Sequence, residues 1–422
     1  MRIILLFSLI IMLLVTSCER IDNDPETPVL KLYGDALEDI GLSISKGQNG
    51  YFIGGQFTEV VRSGDHNNYI EKESSVKKMA VLKTDTEGNL IWKKYFGNGA
   101  GALGSKIISL TDGSAVCAGY IVDEATAQKN IYIVKVSPDG ENTREIILNG
   151  NGTVKTSADN DGNQFAVDIC PSENGFLLLA STDAGRLQGS TGNAEGKTDI
   201  FLLKLDYELQ VTGDPVIMGF PGNDQPAAIK QNREGGYIIA ATTDRSEAGM
   251  ALNNILIIST NAAGSAVRMR IIGNEEDEYA SDLEVEDDGY FIAGTSGASG
   301  ADQSVYMSKL PVNIYAEPLF QRKYKINSGN AAVNSFSVKA ISKYKSNSYV
   351  VAGFAGSGSS ARMLVFVADY FGWPVQDKSV ISAADGSQVA YDVVTDDNNR
   401  IIAVGKNSFE TNSLISFYRF RF

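Results

Sequence analysis

The stretch Gly289-Tyr290-Phe291-Ile292-Ala293-Gly294 decides the fold, because the chain writes it seven times. It reads GYFIGG at 50–55, SAVCAG at 114–119, GFLLLA at 175–180 and GYIIAA at 236–241. After 289–294 it returns as SYVVAG at 348–353 and RIIAVG at 400–405. Each copy is a short β-branched or aromatic run that ends on small residues, which is the signature of a strand between turns. The second residues of the copies fall at 51, 115, 176, 237, 290, 349 and 401, a mean step of about 58 residues.

The surroundings of the phrase repeat as well. A strand with a small residue near its start precedes it, as in Ala166-Val167-Asp168-Ile169 and Ala280-Ser281-Asp282-Leu283. A third strand follows, for example MAVLK at 79–83, IYIVK at 131–135 and IFLLK at 200–204. A turn such as Asp85-Thr86-Glu87-Gly88-Asn89 then leads to a fourth strand, LIWKKY at 90–95. No helical period appears after residue 28. Seven four-stranded units predict an all-β fold, a seven-bladed β-propeller. The ends predict how the ring closes. The last unit stops at Phe422 after its third strand, while VLKLYG at 29–34 matches the end of a fourth strand, WKKYFG at 92–97. The N-terminal strand therefore completes the last blade and hides its edge.

Composition fits this reading. The chain has 422 residues, 42 of them Gly, with Lys+Arg 37, Asp+Glu 51, one His and three Cys. A net charge of −14 argues against nucleic acid as a partner, because phosphates select basic faces. One His excludes multi-His metal centres within the chain and leaves a His-based triad only His66, in a polar loop without a placeable partner. Cys117 and Cys170 fall in strands and read as small buried hydrophobes.

The N-terminus reads as an address. Met1-Arg2 precedes an apolar run over 3–15, too short to span a bilayer and suited to a secretory signal. Val15-Thr16-Ser17-Cys18 resembles a bacterial lipobox, which implies lipidation of Cys18. The acidic, Pro-containing residues after Cys18 resemble the surface-export signal of Bacteroidetes lipoproteins. The expected organisation is a signal peptide over 1–17, an acidic tether over 18–27 and one propeller domain over 28–422. The expected location is the outer membrane, lipid-anchored, with the cell surface and the periplasmic side both left open. The repeats resemble bacterial propellers of the GGY-x-x-AG-T type, and residues 81–92 resemble quinoprotein-type repeats. The adjacent Cys residues and regular docking Trp residues of quinoprotein dehydrogenases are missing, and Trp92 and Trp373 are the only Trp. The Ser-x-Asp-x-Gly-x-x-Trp turns of sialidase-type propellers are missing too.

Aligning the first strands on Gly41, Gly104, Ala166, Ala227, Ala280, Phe336 and Ala390 sets a ring two residues earlier. Its polar members are Asp39, Gln164, Gln225, Glu278, Asn334 and Gln388, expected at one mouth of the central channel and candidates for ligand binding. Loops from fourth to first strand and from second to third strand share one face, and both sets carry long insertions, including 58–78, 149–163 and 183–198. Asp159-Asn160-Asp161-Gly162-Asn163 opens like a calcium loop, but its twelfth position is Cys170 where an EF-hand needs Glu. A turn-rich loop is expected there, with Asp159 and Asp161 at most a weak Ca²⁺ site and no other cofactor. Tyr69, Tyr120 and Tyr279 are candidates for sugar stacking. The expected function is a non-catalytic binding or scaffold module for a protein or glycan partner. The alternative is a carbohydrate-active hydrolase or lyase that uses carboxylates at the channel mouth.

Overall fold

The computed structural model describes residues 27–422 apart from 36, 64–71, 99, 149–161, 184–197, 246–252, 266, 299–301, 327–334, 346, 383–385, 410 and 411. Seven four-stranded antiparallel sheets follow one another around a ring, and each is ordered sequentially from an inner to an outer strand. The inner strands of blades 1 to 7 are Ile40–Gly47, Ala102–Ser109, Gln164–Ser172, Asp224–Gln231, Glu278–Glu286, Phe336–Lys343 and Ser387–Thr395. The seventh sheet is completed by Val29–Tyr33, paired with Asn412–Phe420 in a register that runs from Val29 opposite Arg419 to Tyr33 opposite Ile415. The fold is the seven-bladed propeller that the repeats predict, closed by the N-terminal strand.

The apolar phrase does not alternate because each sheet is covered on both sides. The strands Gly175–Thr182, Tyr237–Thr243 and Gly289–Ser296 are buried at every position. Seven apolar clusters fill the seven seams between neighbouring blades. One joins Phe52, Met79 and Val81 of blade 1 to Ile107, Cys117 and Val134 of blade 2. Another joins Ile402 and Val404 of blade 7 to Ile44, Tyr51 and Leu82 of blade 1. The free Cys117 and Cys170 are buried, and burial pushes both thiols up to about 12.

Every inner strand has a bulge after two to four paired residues, between Gly41 and Ser43 in blade 1 and between Ala390 and Asp392 in blade 7. The bulge explains the glycine that ends the repeated phrase. A Cβ on Gly405 would lie 1.8 Å from the Val389 carbonyl oxygen, and one on Gly119 would lie 1.9 Å from that of Leu103. The Asp-x-x-Gly turns are hairpin turns between third and fourth strands. Asp85 Oδ1 accepts the Glu87 and Asn89 N–H groups at 2.8 Å, and Asp206 treats Glu208 and Gln210 the same way in a turn where Leu209, at φ 59°, stands in the glycine's place.

These turns dock on the preceding blade. Trp92 donates its indole N–H to Pro138 O, and Arg322 donates to Phe371 O while its guanidinium lies 4.2 Å from the Trp373 ring centroid. At the closing seam, Tyr33 donates to Gly88 O at 2.6 Å, and Arg400 and Arg419 both bind Glu87. The expected insertion 58–78 is largely regular structure. The strands Gly50–Ser63 and Lys72–Thr84 continue their pairing to Ser63 opposite Lys72.

Candidate functional site

The inner strands bring charge to the axis through the residue that follows each bulge. Those residues are Ser43, Lys106, Asp168, Ala228, Asp282, Ala340 and Asp392. The three aspartates lie in alternate blades and reach across to the next one. Asp168 Oδ2 accepts the Ile229 N–H at 2.9 Å, and Asp282 Oδ2 accepts that of Ile341 at 3.0 Å. Asp392 Oδ2 accepts both the Ser43 hydroxyl at 2.8 Å and the Ile44 N–H at 3.0 Å. Ser43 Oγ in turn accepts the Ile107 N–H of blade 2 at 3.2 Å. Each aspartate also accepts the N–H of the residue after it through Oδ1.

Lys106 Nζ lies 3.1 Å from Asp392 Oδ2. Burial works against its charge, yet Asp392, Asp168 and Asp282 together hold the ammonium above its ordinary pKa. Burial pushes the Asp168 carboxyl up to about 6, against the pull of Lys106 and the Ile229 N–H. Farther along the axis, Lys230 and Glu284 pair at 3.0 Å. Residues of all seven inner strands line a cavity of about 110 Å³ here, among them Lys106, Asp168, Asp282, Lys339, Tyr391 and Asp392.

The polar ring expected two residues before the small positions has another place in the fold. Asp39, Gln164, Glu278 and Gln388 are buried at the strand starts. In blade 4 the bulge lies between Pro226 and Ala228, so the equivalent residue is Asp224 and not Gln225. In blade 6 it lies between Val338 and Ala340, so the equivalent is the buried Phe336. Asn334, like Cys18, Asp159, Asp161, His66 and Tyr69, lies outside the described residues. The ring's acids turn back to the loop that enters each blade. Asp39 Oδ2 accepts the Asp35 N–H at 3.0 Å, Asp224 Oδ2 that of Phe220 at 2.5 Å, and Glu278 Oε2 that of Asn274 at 3.0 Å. Burial raises the pKa of all three. A glycine precedes each acid by five residues for the same reason. A Cβ on Gly34 or Gly219 would lie 2.2 or 2.4 Å from the carboxylate.

One residue later, side chains emerge on the opposite side of the strand. There Phe165 faces a pocket of about 410 Å³ at the seam of blades 3 and 4, with Ser181, Asp183, Gln225, Pro226 and Lys129 around it. Tyr279 faces a second pocket of about 410 Å³ at the seam of blades 5 and 6, with Thr295, Gln303, Ser337, Lys339 and Phe354. The two pockets occupy equivalent places. Phe165 pairs with Ser181 and Tyr279 with Thr295, each just before the bulge. Gln225 and Ser337 are the matching residues of the following blades. Asp183 accepts the N–H and the Nδ2 of Asn163, at 2.5 and 2.7 Å. Tyr120, singled out in the sequence, meets Phe165 edge-on at 6.5 Å between centroids. The Asp triplet recurs in the repeat, two residues after Ala166, Ala280 and Ala390, but the bulge that turns it to the axis and opens the pockets one residue after the ring is not marked by any residue type.

No family model and no curated protein matches the sequence. Solved structures do match its shape. A protein of unknown function from Dyadobacter fermentans is 12% identical, covers 93% of this chain and 97% of its own, and gives a TM-score of 0.50. The β-propeller domain of the Trilobed protease from Pyrococcus furiosus is 10% identical, covers 91% and 94%, and gives 0.45. An ulvan lyase of a polysaccharide lyase family is 10% identical, covers 81% and 80%, and gives 0.47. Identities this low speak to the fold alone.

Proposed function

We propose that this chain is a non-catalytic binding module of the cell envelope, held by lipid on Cys18 and capturing a glycan or protein partner on its loop-rich face. The observation that carries the reading is the pair of equivalent pockets, built from aromatic, hydroxyl and amide groups. Small-molecule sites typically combine apolar walls with a few placed polar groups, in volumes of about 300–1,000 Å³. Glycoside hydrolysis needs two carboxyl groups flanking one bond. The first pocket offers one described carboxylate, Asp183, whose oxygens both accept from Asn163. The axial aspartates accept backbone N–H groups of neighbouring blades, which is structural work.

Two measurements test this reading. Full-length chain in detergent is incubated with native envelope extract, and the retained material is compared with that of Phe165→Ala and Tyr279→Ala. Binding through this face predicts a loss of at least tenfold in retained partner, and equal retention by the double variant overturns it. Labelled palmitate should enter the wild-type chain and not Cys18→Ala, and unchanged labelling overturns the anchor.

A further inference from the structure

We infer that the two seam pockets are two separate, equivalent sites for an anionic glycan, each taking one carboxylate-bearing sugar ring. The inference rests on the binding reading above and specifies its ligand.

Each pocket contains one lysine, and the two lysines come from different places in the repeat. Lys129 starts the third strand of blade 2 and approaches the first pocket from the preceding blade. Lys339 is the bulged residue of blade 6 and stands between the axial cavity and the second pocket, lining both from the following blade. The place of Lys129 is taken beside the second pocket by Asn253. The N–H groups of Lys129 and Asn253 bond the side-chain oxygens of Asn163 and Asp277, each two residues before the pocket's aromatic. Asn253 uses its side chain to donate to the Tyr279 hydroxyl at 3.2 Å. The place of Lys339 is taken beside the first pocket by Ala227.

Both ammonium groups lie near aromatic rings. Lys129 Nζ is 4.5 Å from the Tyr120 centroid and 5.4 Å from that of Phe165, and Lys339 Nζ is 5.7 Å from that of Phe354. Among the described residues neither forms an ion pair; Lys83 over Phe52 and Lys345 over Tyr344 share that trait, but Lys129 and Lys339 are the ones that line these two pockets. In a chain with 51 acids, two cations standing over rings and outside ion pairs are available to a ligand's anion. Ser181, Thr198 and Gln225 in one pocket and Thr295, Gln303 and Ser337 in the other supply hydrogen bonds to hydroxyl groups. An aromatic wall, hydroxyl and amide partners and one ammonium suit a sugar ring with a carboxylate better than a free anion, which needs no wall, or a neutral sugar, which needs no cation.

Calorimetry of the full-length chain in detergent with oligogalacturonate tetrasaccharide, its methyl ester and a polyglutamate peptide tests the inference. The expected result is two acidic tetrasaccharides bound per chain, with the ester at least tenfold weaker, since a charge-assisted hydrogen bond is lost. Lys129→Gln and Lys339→Gln should each remove one of the two binding events while leaving the melting temperature within about 2 °C of wild type. Ester binding equal to acid binding, peptide binding stronger than sugar binding, or unchanged stoichiometry in both variants overturns the anionic glycan. The wider reading stands or falls separately: if Phe165→Ala and Tyr279→Ala still reduce retention of envelope material, the face binds another class of partner, and if they do not, both readings fail.

Discussion

The axis and the seam pockets are built from the same strands, a residue or two apart, yet they use charge in opposite ways. At the axis Asp168, Asp282 and Asp392 direct both oxygens at N–H or hydroxyl donors of their own or the next blade, and Lys106 balances them. Lys129 in the first pocket stands against aromatic rings outside any described ion pair, and so does Lys339, which lines both the second pocket and the axial cavity. Charge at the axis is satisfied internally and joins blades. Charge in the pockets is left available. On the proposed reading the propeller separates stability from recognition in this way, because inner strands meet at the axis while their first residues open onto the face.

Asp392→Ala is the harshest way to break the comparison. It removes the acceptor of Ser43 Oγ, Ile44 N and Val393 N and the partner of Lys106, at the seam where the ring closes. Loss of one member of a buried charged network costs about 3–5 kcal/mol. Urea unfolding followed by circular dichroism should show that loss. A loss below about 1 kcal/mol would mean that the axial carboxylates do not hold the ring together.

Asp168 gives the same region a pH signature. Its folded pKa of about 6 lies above an unfolded value near 4. The folded state then holds the proton more tightly, so this group's contribution favours folding below about pH 4 and weakens as pH rises to about 6. Asp168→Asn, which keeps a carbonyl acceptor but no titration, should therefore gain about 2–3 kcal/mol relative to wild type between pH 4 and pH 7. Parallel stability–pH curves for the two proteins would refute the assignment. A smaller effect belongs to the loops that enter each blade. Gly219 has φ +152°, and a Cβ there would lie 2.4 Å from Asp224 Oδ2. Gly219→Ala should cost about 1–2 kcal/mol in the same denaturation assay.

Blade number, strand order and ring closure were legible in the sequence because each rests on a pattern repeated seven times. The apolar phrase, buried on both faces of its sheet, could not be displaced by local accident. The site was less legible. Setting Gln225 and Asn334 in the ring of Asp39 misplaces blade 4 by one residue and blade 6 by two, because no residue type marks a bulge. The error matters in a strand, where a shift of one residue exchanges the two faces. Asp39 and Glu278 were correctly aligned with each other, yet both are buried and turned back on their own loops. Phe165 and Tyr279, one residue after the ring, line the pockets. What sequence could offer was the Asp that recurs two residues after the small position, at 168, 282 and 392, with Lys106 in the equivalent place.

The finest test compares one residue type across the two regions. Lys106→Gln leaves Asp392, Asp168 and Asp282 around a small cavity without the cation that pairs with Asp392, and Lys339 is the lysine that still lines it. Lys129→Gln leaves Tyr120 and Phe165 in edge-on contact and separates no described ion pair. The first should destabilise the fold by about 1–3 kcal/mol and push the Asp168 titration above about 6. The second should stay within about 0.5 kcal/mol of wild type, as surface changes do. Removing the same charge thus costs stability only where the protein itself uses it. If Lys129→Gln proved as damaging as Lys106→Gln, the pocket lysine would belong to the scaffold, and the cation would no longer be available to a ligand.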